Sequence, residues 1–316
     1  MEDEMGNQAV IESIITNVEK VIVGKTEVIK IFIAGLLSRG HILIEDIPGV
    51  GKTMLVRALA KSINANFKRI QFTPDLLPSD ITGVSIFNQQ TSQFEFKPGP
   101  IFANIILADE VNRTTPRTQS GLLEAMQEYA VTVDGKTHKL PEPFFVIATQ
   151  NPIEFYGTYP LPEAQLDRFL LRISMGYLED AEEVKLLEHR LTKDPIDELG
   201  PVINLMDILS LMASVNAIHI NKDILVYIVR IIKSTRTHPD IKLGSSPRGS
   251  LSLMHLAKAY ALLNNRDYVI PSDVKSIAIP ALNHRIILYP SALVKGTKPQ
   301  EIVKEILEKT PVPVEV

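Results

Sequence analysis

In His41-Ile42-Leu43-Ile44-Glu45-Asp46-Ile47-Pro48-Gly49-Val50-Gly51-Lys52-Thr53-Met54-Leu55, an apolar run gives way to a turn holding two glycines, then to Lys-Thr and a helical pattern. Strand, glycine turn, Lys-Thr and helix is the order that cradles phosphate groups. Gly49 and Gly51 reach backbone angles closed to other residues, so several N–H groups can turn inward on one anion. The helix opening at Lys52 adds the positive end of its dipole. Lys52 then reaches outer phosphates, and the Thr53 hydroxyl is placed to ligate Mg2+. One position departs from the general pattern: Asp46 stands where glycine is usual. A carboxylate there repels phosphate unless it points away or meets a basic group. The competing reading is a plain glycine turn between a core strand and a helix, with Lys52 at the surface.

The chain has 316 residues, more than one small core needs, so two domains are expected. Hydrophobic content of 45% and charged content of 22% are those of an ordinary soluble globular protein. Lys+Arg 33 against Asp+Glu 37 leave −4, which gives no bulk attraction for nucleic acid or anionic membrane. Cysteine is absent, which excludes disulfides, thiol catalysis and zinc ribbons. Met1-Glu2-Asp3-Glu4-Met5 is acidic, unlike a signal peptide, and apolar runs such as Ile31-Phe32-Ile33-Ala34 fall far below membrane-spanning length. A cytoplasmic protein is expected. The seven histidines show no zinc-helix or deaminase spacing, so the phosphate turn is the only chemistry on display.

Residues 8–22 and 26–38 carry helical spacing, with Val23-Gly24 between them as a helix stop. Strands are expected at 67–72, 104–108, 144–149 and 169–173, and a helix at 116–128. Residues 80–100 are turn-rich with short β pieces, an excursion from the core. Residues 131–140 alternate around Asp134-Gly135, the strongest short hairpin signal. From about 178 only helical patterns remain, at 179–191, 205–216, 222–236, 247–264 and 271–282. Strands alternating with helices, followed by helices alone, predict an α/β nucleotide domain over 1–177 and a helical second domain over 178–316.

Asp109 and Glu110 close the apolar strand that precedes them. In a parallel sheet, strand C-terminal ends collect at one edge, where ligands sit. Asp109 is then placed to hold the Mg2+ that Thr53 also ligates, and Glu110 to orient and deprotonate a water. Asn151 ends a strand expected between those of Gly51 and Asp109. It offers a neutral amide to a γ-phosphate or serves as the turn residue before Pro152. Arg168 is read either as a cation for a γ-phosphate or as the local partner of Asp167 or Glu163. Arg248 falls in the first turn of a helix capped by Ser246-Pro247. A cation there opposes the dipole, so an anion or an acidic neighbour is expected beside it.

Asp46 to Thr53, Ala108-Asp109-Glu110-Val111-Asn112-Arg113, residues 118–128, Ala148-Thr149-Gln150-Asn151-Pro152 and Ser246-Pro247-Arg248 together resemble the MoxR family of AAA+ ATPases, over about residues 8–290. The resemblance implies a parallel five-stranded sheet in the order 5-1-4-3-2, a smaller all-helical lid, and ATP with Mg2+ at subunit boundaries of a hexameric ring. Pro48 to Met54, with Lys52 and Thr53, then correspond to Walker A, and Asp109 and Glu110 to Walker B. Asn151 corresponds to sensor 1 and Arg248 to sensor 2. Arg168 corresponds to the finger entering the neighbour's site, with Arg113 and Arg117 as alternatives. Val23 and Gly24 lie where such proteins touch adenine. Residues 80–100 correspond to the helix-2 insertion, and 130–140 to the hairpin before sensor 1. The resemblance also implies chaperone-like work on client proteins, with partners that carry von Willebrand factor A domains. Two rival readings remain: a nucleic-acid motor using Lys136, His138 and Lys139, against which the −4 charge stands, and a nucleotide-gated scaffold without turnover.

Overall fold

A computed structural model describes residues 6–152, 157–191 and 193–313; the acidic segment 1–5 lies outside them. Helices α1 (Asn7–Glu19) and α2 (Thr26–Leu37) precede strand β1 (Ile42–Glu45) and helix α3 (Lys52–Ser62). Next come β2 (Phe67–Gln71), α4 (Pro78–Thr82), the hairpin of β3 (Gly83–Asn88) and β4 (Gln93–Pro98), β5 (Ile105–Asp109) and α5 (Pro116–Glu128). A second hairpin, β6 (Ala130–Val133) and β7 (Lys136–Lys139), leads to β8 (Phe145–Gln150), the turn α6 (Glu163–Leu166) and β9 (Leu171–Ile173).

Five of these strands form one parallel sheet in the order β2-β5-β8-β1-β9. Renumbered within the sheet this is 5-1-4-3-2, as expected. Alternate side chains divide between the faces, as the pleat requires. Ile42, Ile44, Ile105, Leu107, Phe145 and Ile147 pack with α1–α3 and the second half of the chain. Leu43, Ile106, Ala108, Val146 and Ala148 pack beneath α5. Burial on both faces explains why these strands read as unbroken apolar runs.

The remainder is helical: α7 (Asp180–His189), α8 (Pro195–Glu198), α9 (Leu205–Ala217), α10 (Lys222–Thr237), α11 (Pro247–Leu263), α12 (Pro271–Leu282), α13 (Pro290–Val294) and α14 (Pro299–Lys309). The expected helical patterns coincide with α7 and α9–α12. A ribbon of β10 (Ile241–Leu243) and β11 (Ile287–Leu288) is an addition to the all-helical expectation. Helix α14, which buries Ile302, Val303, Ile306 and Leu307, lies beyond the expected helical patterns.

Helix α11 packs on α2, and α12 on β9. Polar ties reinforce that seam. Arg172 of β9 pairs with Glu45 at 3.0 Å and donates to the Asn283 carbonyl at 2.7 Å. Buried Arg285 pairs with Asp167 at 2.8 Å and also donates to the Phe169 carbonyl.

Both hairpins lie off the sheet. Asp134 (φ 50) and Gly135 (φ 75) make the tight turn that Asp-Gly announces. His138 stacks on Phe96 with ring centroids 4.0 Å apart, so it joins the two hairpins. Lys136 and Lys139 are exposed. Among the described residues no helix is long and apolar enough to cross a membrane.

Candidate functional site

Gly49 (φ 87) and Gly51 (φ 88) adopt left-handed conformations that other residues avoid. A Cβ at either would meet no atom within 4 Å, so both border open space. That space is a cavity of about 310 Å³ bounded by the turn, Lys52, Thr53, Asp109, Glu110 and Asn151. These residues meet because β1, β5 and β8 are parallel neighbours whose C-terminal ends share one edge. Asn151 is buried there, at the end of the strand between the other two. The Gln150 side-chain nitrogen beside it has no hydrogen-bond partner among the described residues.

A second cavity of about 400 Å³ shares Pro48, Gly49, Gly51 and Met54 with the first, and Val50 also lines it. Val21, Ile22, Val23, the segment Met175–Leu178 and one face of α7 form its remaining walls. Gly24 does not line the cavity; a Cβ there would come within 2.1 Å of the Glu182 carboxyl, so this glycine admits the start of α7 from outside. Joined, the two cavities form an elongated cleft with a charged, amide-rich end and a more apolar end, the pairing of surfaces that a nucleotide's phosphates and base call for.

The acidic pair is tightly held. Thr149 Oγ1 donates to Asp109 Oδ1 at 2.6 Å and accepts from the Glu110 amide at 2.8 Å. Arg69 donates to Asp109 Oδ2 from Nη2 at 2.6 Å and from Nε at 3.0 Å. Glu110 sits at φ 60, a costly angle for a residue with a side chain, which the surrounding bonds sustain. Its carboxylate accepts from Gln71 Nε2 at 2.6 Å and pairs with Arg113 at 3.3 Å. Arg69 and Gln71 escape a reading of local motifs. Their signal is positional: Gln71 is the register partner of Asp109, and Arg69 points from the same side of β2.

Lys52 donates to the Asp46 carbonyl at 2.8 Å. Burial pulls its pKa down, while the carboxylates of Asp46, Asp109 and Glu110 push it back up. The Asp46 side chain turns away from the cavity. Its Oδ2 accepts from Ser174 Oγ at 2.9 Å, the Met175 amide at 2.6 Å and the Gly176 amide at 2.9 Å. Of the two escapes open to a carboxylate at this position, the chain takes the first.

The two remaining arginines do not join this cleft. Arg168 and Arg248 line a separate cavity of about 240 Å³ with Arg39, Arg285, His41 and Asp167. His41 and Leu170 immediately precede β1 and β9, so this cavity opens at the N-terminal edge of the sheet. Four arginines meet there, one of which, Arg39, pairs with Glu142 at 3.8 Å. Arg248 finds its acidic neighbour in Asp167, 3.7 Å away, and half its side chain stays exposed. Asp167 is also held by Arg285, and Ser246 Oγ donates to it at 3.3 Å. The Arg168 side chain has no hydrogen bond or ion pair among the described residues, so the local pairing with Asp167 or Glu163 is not made. Arg113 and Arg117 lie outside this cavity. Arg113 is instead engaged with Glu110 in the first.

Residues 41–171 match the family profile described as "ATPase family associated with various cellular activities (AAA)", and residues 233–306 match that of an AAA lid domain. The Bacillus subtilis (strain 168) protein YeaC is 55% identical over 301 residues, 95% of this chain and 94% of its own. Chaperone MoxR1 of Mycobacterium tuberculosis is 40% identical over 314 residues, 96% of this chain and 82% of its own. A crystal structure of a candidate ATPase from Cytophaga hutchinsonii superposes with a TM-score of 0.90 at 41% identity, covering 98% of this chain and 96% of that one.

Proposed function

This chain belongs to the MoxR family of AAA+ ATPases, and from that premise we propose that it hydrolyses ATP at sites completed between neighbouring subunits of a ring. One observation carries the proposal: the cleft with Lys52 and Glu110 and the cavity with Arg168 and Arg248 open at opposite ends of the same strands. Strand β1 alone separates those ends by about 13 Å at its usual rise. Arg168 and Arg248 are therefore out of reach of their own chain's phosphates, whereas head-to-tail packing brings them to the next subunit's cleft. On this reading Arg248, like Arg168, serves the neighbour's triphosphate.

Within the cleft, turn amides and Lys52 hold the phosphates, and the cavity beside Val23 and Tyr177 takes the base. Mg2+, held through Thr53 and Asp109, would neutralise charge on the outer phosphates. Glu110, aimed by Gln71 and Arg113, orients and deprotonates the attacking water. Asn151 contacts that water or the γ-phosphate without adding charge. Arg168 and Arg248 of the neighbouring subunit stabilise charge that builds on the transferred group.

Residues 1–177 act as the nucleotide domain and 178–316 as the lid, meeting at Gly176-Tyr177. Hydrolysis removes the charge gripped by arginines from across the boundary, so lid and boundary shift together. That shift drives chaperone-like remodelling of a client protein, with six subunits and a von Willebrand factor A domain partner as the family resemblance suggests. The test is ATP turnover per subunit across a dilution series, with assembly followed by sedimentation. Turnover that rises with assembly supports a shared site; constant turnover in fully dissociated protein overturns it.

A further inference from the structure

Asp46 is nine-tenths buried, with 7% of its surface exposed. Its carboxylate collects four hydrogen bonds: one from the adjacent Ile47 amide at 2.9 Å, and three from the consecutive residues Ser174, Met175 and Gly176. Gly176 at φ 62 curls the chain so that successive amides converge on the anion. The same segment continues through Tyr177 and Leu178, along the wall of the base cavity, into α7. Lys25 Nζ anchors it a second time at the Tyr177 carbonyl, at 2.8 Å. On its main-chain side, Asp46 offers its carbonyl to Lys52 Nζ. One residue therefore holds the phosphate-seeking ammonium with its backbone and the root of the lid with its side chain.

We propose that Asp46 is a positioning residue that couples phosphate occupancy of the turn to the posture of the linker at 174–178. The proposal rests on the reading of the turn as the ATP site. When the Lys52 ammonium transfers to a phosphate, the Asp46 carbonyl loses its donor and the start of the turn is released. The carboxylate then carries residues 174–176 with it, because charge-assisted bonds to a buried carboxylate are stiffer than the turn's exposed flank. Such coupling is reciprocal, so linker order and nucleotide state bias each other. A glycine at this position would still cradle phosphates, but it would leave two main-chain amides and one hydroxyl of the linker without their acceptor.

Amide hydrogen exchange on the full chain tests this, read at peptides spanning 174–178 and α7, in three states: without nucleotide, with MgADP, and with the non-hydrolysable analogue MgAMPPNP. Wild type is expected to show linker exchange that differs between MgADP and MgAMPPNP. In the isosteric Asp46→Asn variant, linker exchange should rise about tenfold or more. Its difference between the two nucleotides should collapse while MgAMPPNP still binds. Ser174→Ala, which removes one donor of three, should raise exchange less and shrink the difference only in part. A merely structural carboxylate predicts faster exchange in Asp46→Asn with the wild-type nucleotide difference intact, and that result overturns the proposal. Wild type that binds neither nucleotide overturns the ATP reading and the coupling with it, which separates the two failures.

Discussion

The two ends of the parallel sheet carry opposite chemistry. At the C-terminal edge, Arg69 and Arg113 are committed to Asp109 and Glu110, Lys52 is the cation that lines the cavity, and open glycine turns leave room for a ligand. At the N-terminal edge four arginines gather, two of them paired with Asp167 and a third, Arg39, with Glu142. Each end is unbalanced towards a ligand: the first offers a triphosphate one ammonium, Lys52, and the second leaves Arg168 without an ion pair among the described residues. Complementary deficits at opposite poles are what a head-to-tail ring needs and what a self-sufficient monomer would not keep.

The hardest way to break this comparison is at Arg168. Arg168→Ala is expected to lower ATP turnover by about a thousandfold or more while leaving MgATP binding in place, the scale of a trans-acting arginine. Mixing it with Lys52→Ala, itself unable to grip phosphate, should restore turnover, because some boundaries then pair an intact cleft with an intact arginine. Equal inactivity of the mixture and the separate variants would mean that the two ends serve different purposes.

Glu110→Gln probes the other end. Losing the base should slow turnover by roughly 10²- to 10⁴-fold, with binding retained. Because Gln71 and Arg113 both hold this carboxylate, Gln71→Ala should show a smaller loss in kcat than Glu110→Gln, at an unchanged KM. Wild-type turnover in Glu110→Gln would remove this residue from the chemistry and leave the C-terminal edge as a binding site alone.

How far each end was legible in the sequence follows from the range of the interactions that build it. The phosphate turn is local: two glycines, a lysine and a threonine within five residues dictate their own geometry. The central strands were legible because burial on both faces leaves only apolar residues to choose from. The arginine end was not. Arg248 meets Asp167 across 81 residues, and Asp46 reaches its linker partners across 128 to 130, distances over which no motif speaks. The sequence could pose alternatives for Asp46, Arg168 and Arg248 but had no means to choose among them. The ribbon of β10 and β11 is two or three residues a side, too short for any periodicity to register.

The mildest test separates the two ends by pH. His41, at the foot of β1, is fully buried; Nδ1 accepts from the Val146 amide at 3.0 Å and Nε2 bonds the Met126 carbonyl at 2.9 Å. This is the neutral ring, and burial pulls its pKa from 6.5 to about 4. His284, on the Phe169 carbonyl beside Arg285, is pushed well down by burial and by that arginine. A histidine depressed in the folded state contributes stability that is present above its unfolded pKa. That stability is lost as pH falls from about 6.5 towards 4, where the unfolded chain binds the proton and the folded one does not. For His41 the full loss is about 3 kcal/mol, of which about 2 has gone by pH 5. Both rings flank the arginine cavity, so acid should weaken that end first. Urea unfolding at pH 7.5 and pH 5 should show a smaller drop for His41→Gln than for wild type, with His284 supplying the part that remains. An identical drop in both proteins would mean that His41 does not carry the acid sensitivity.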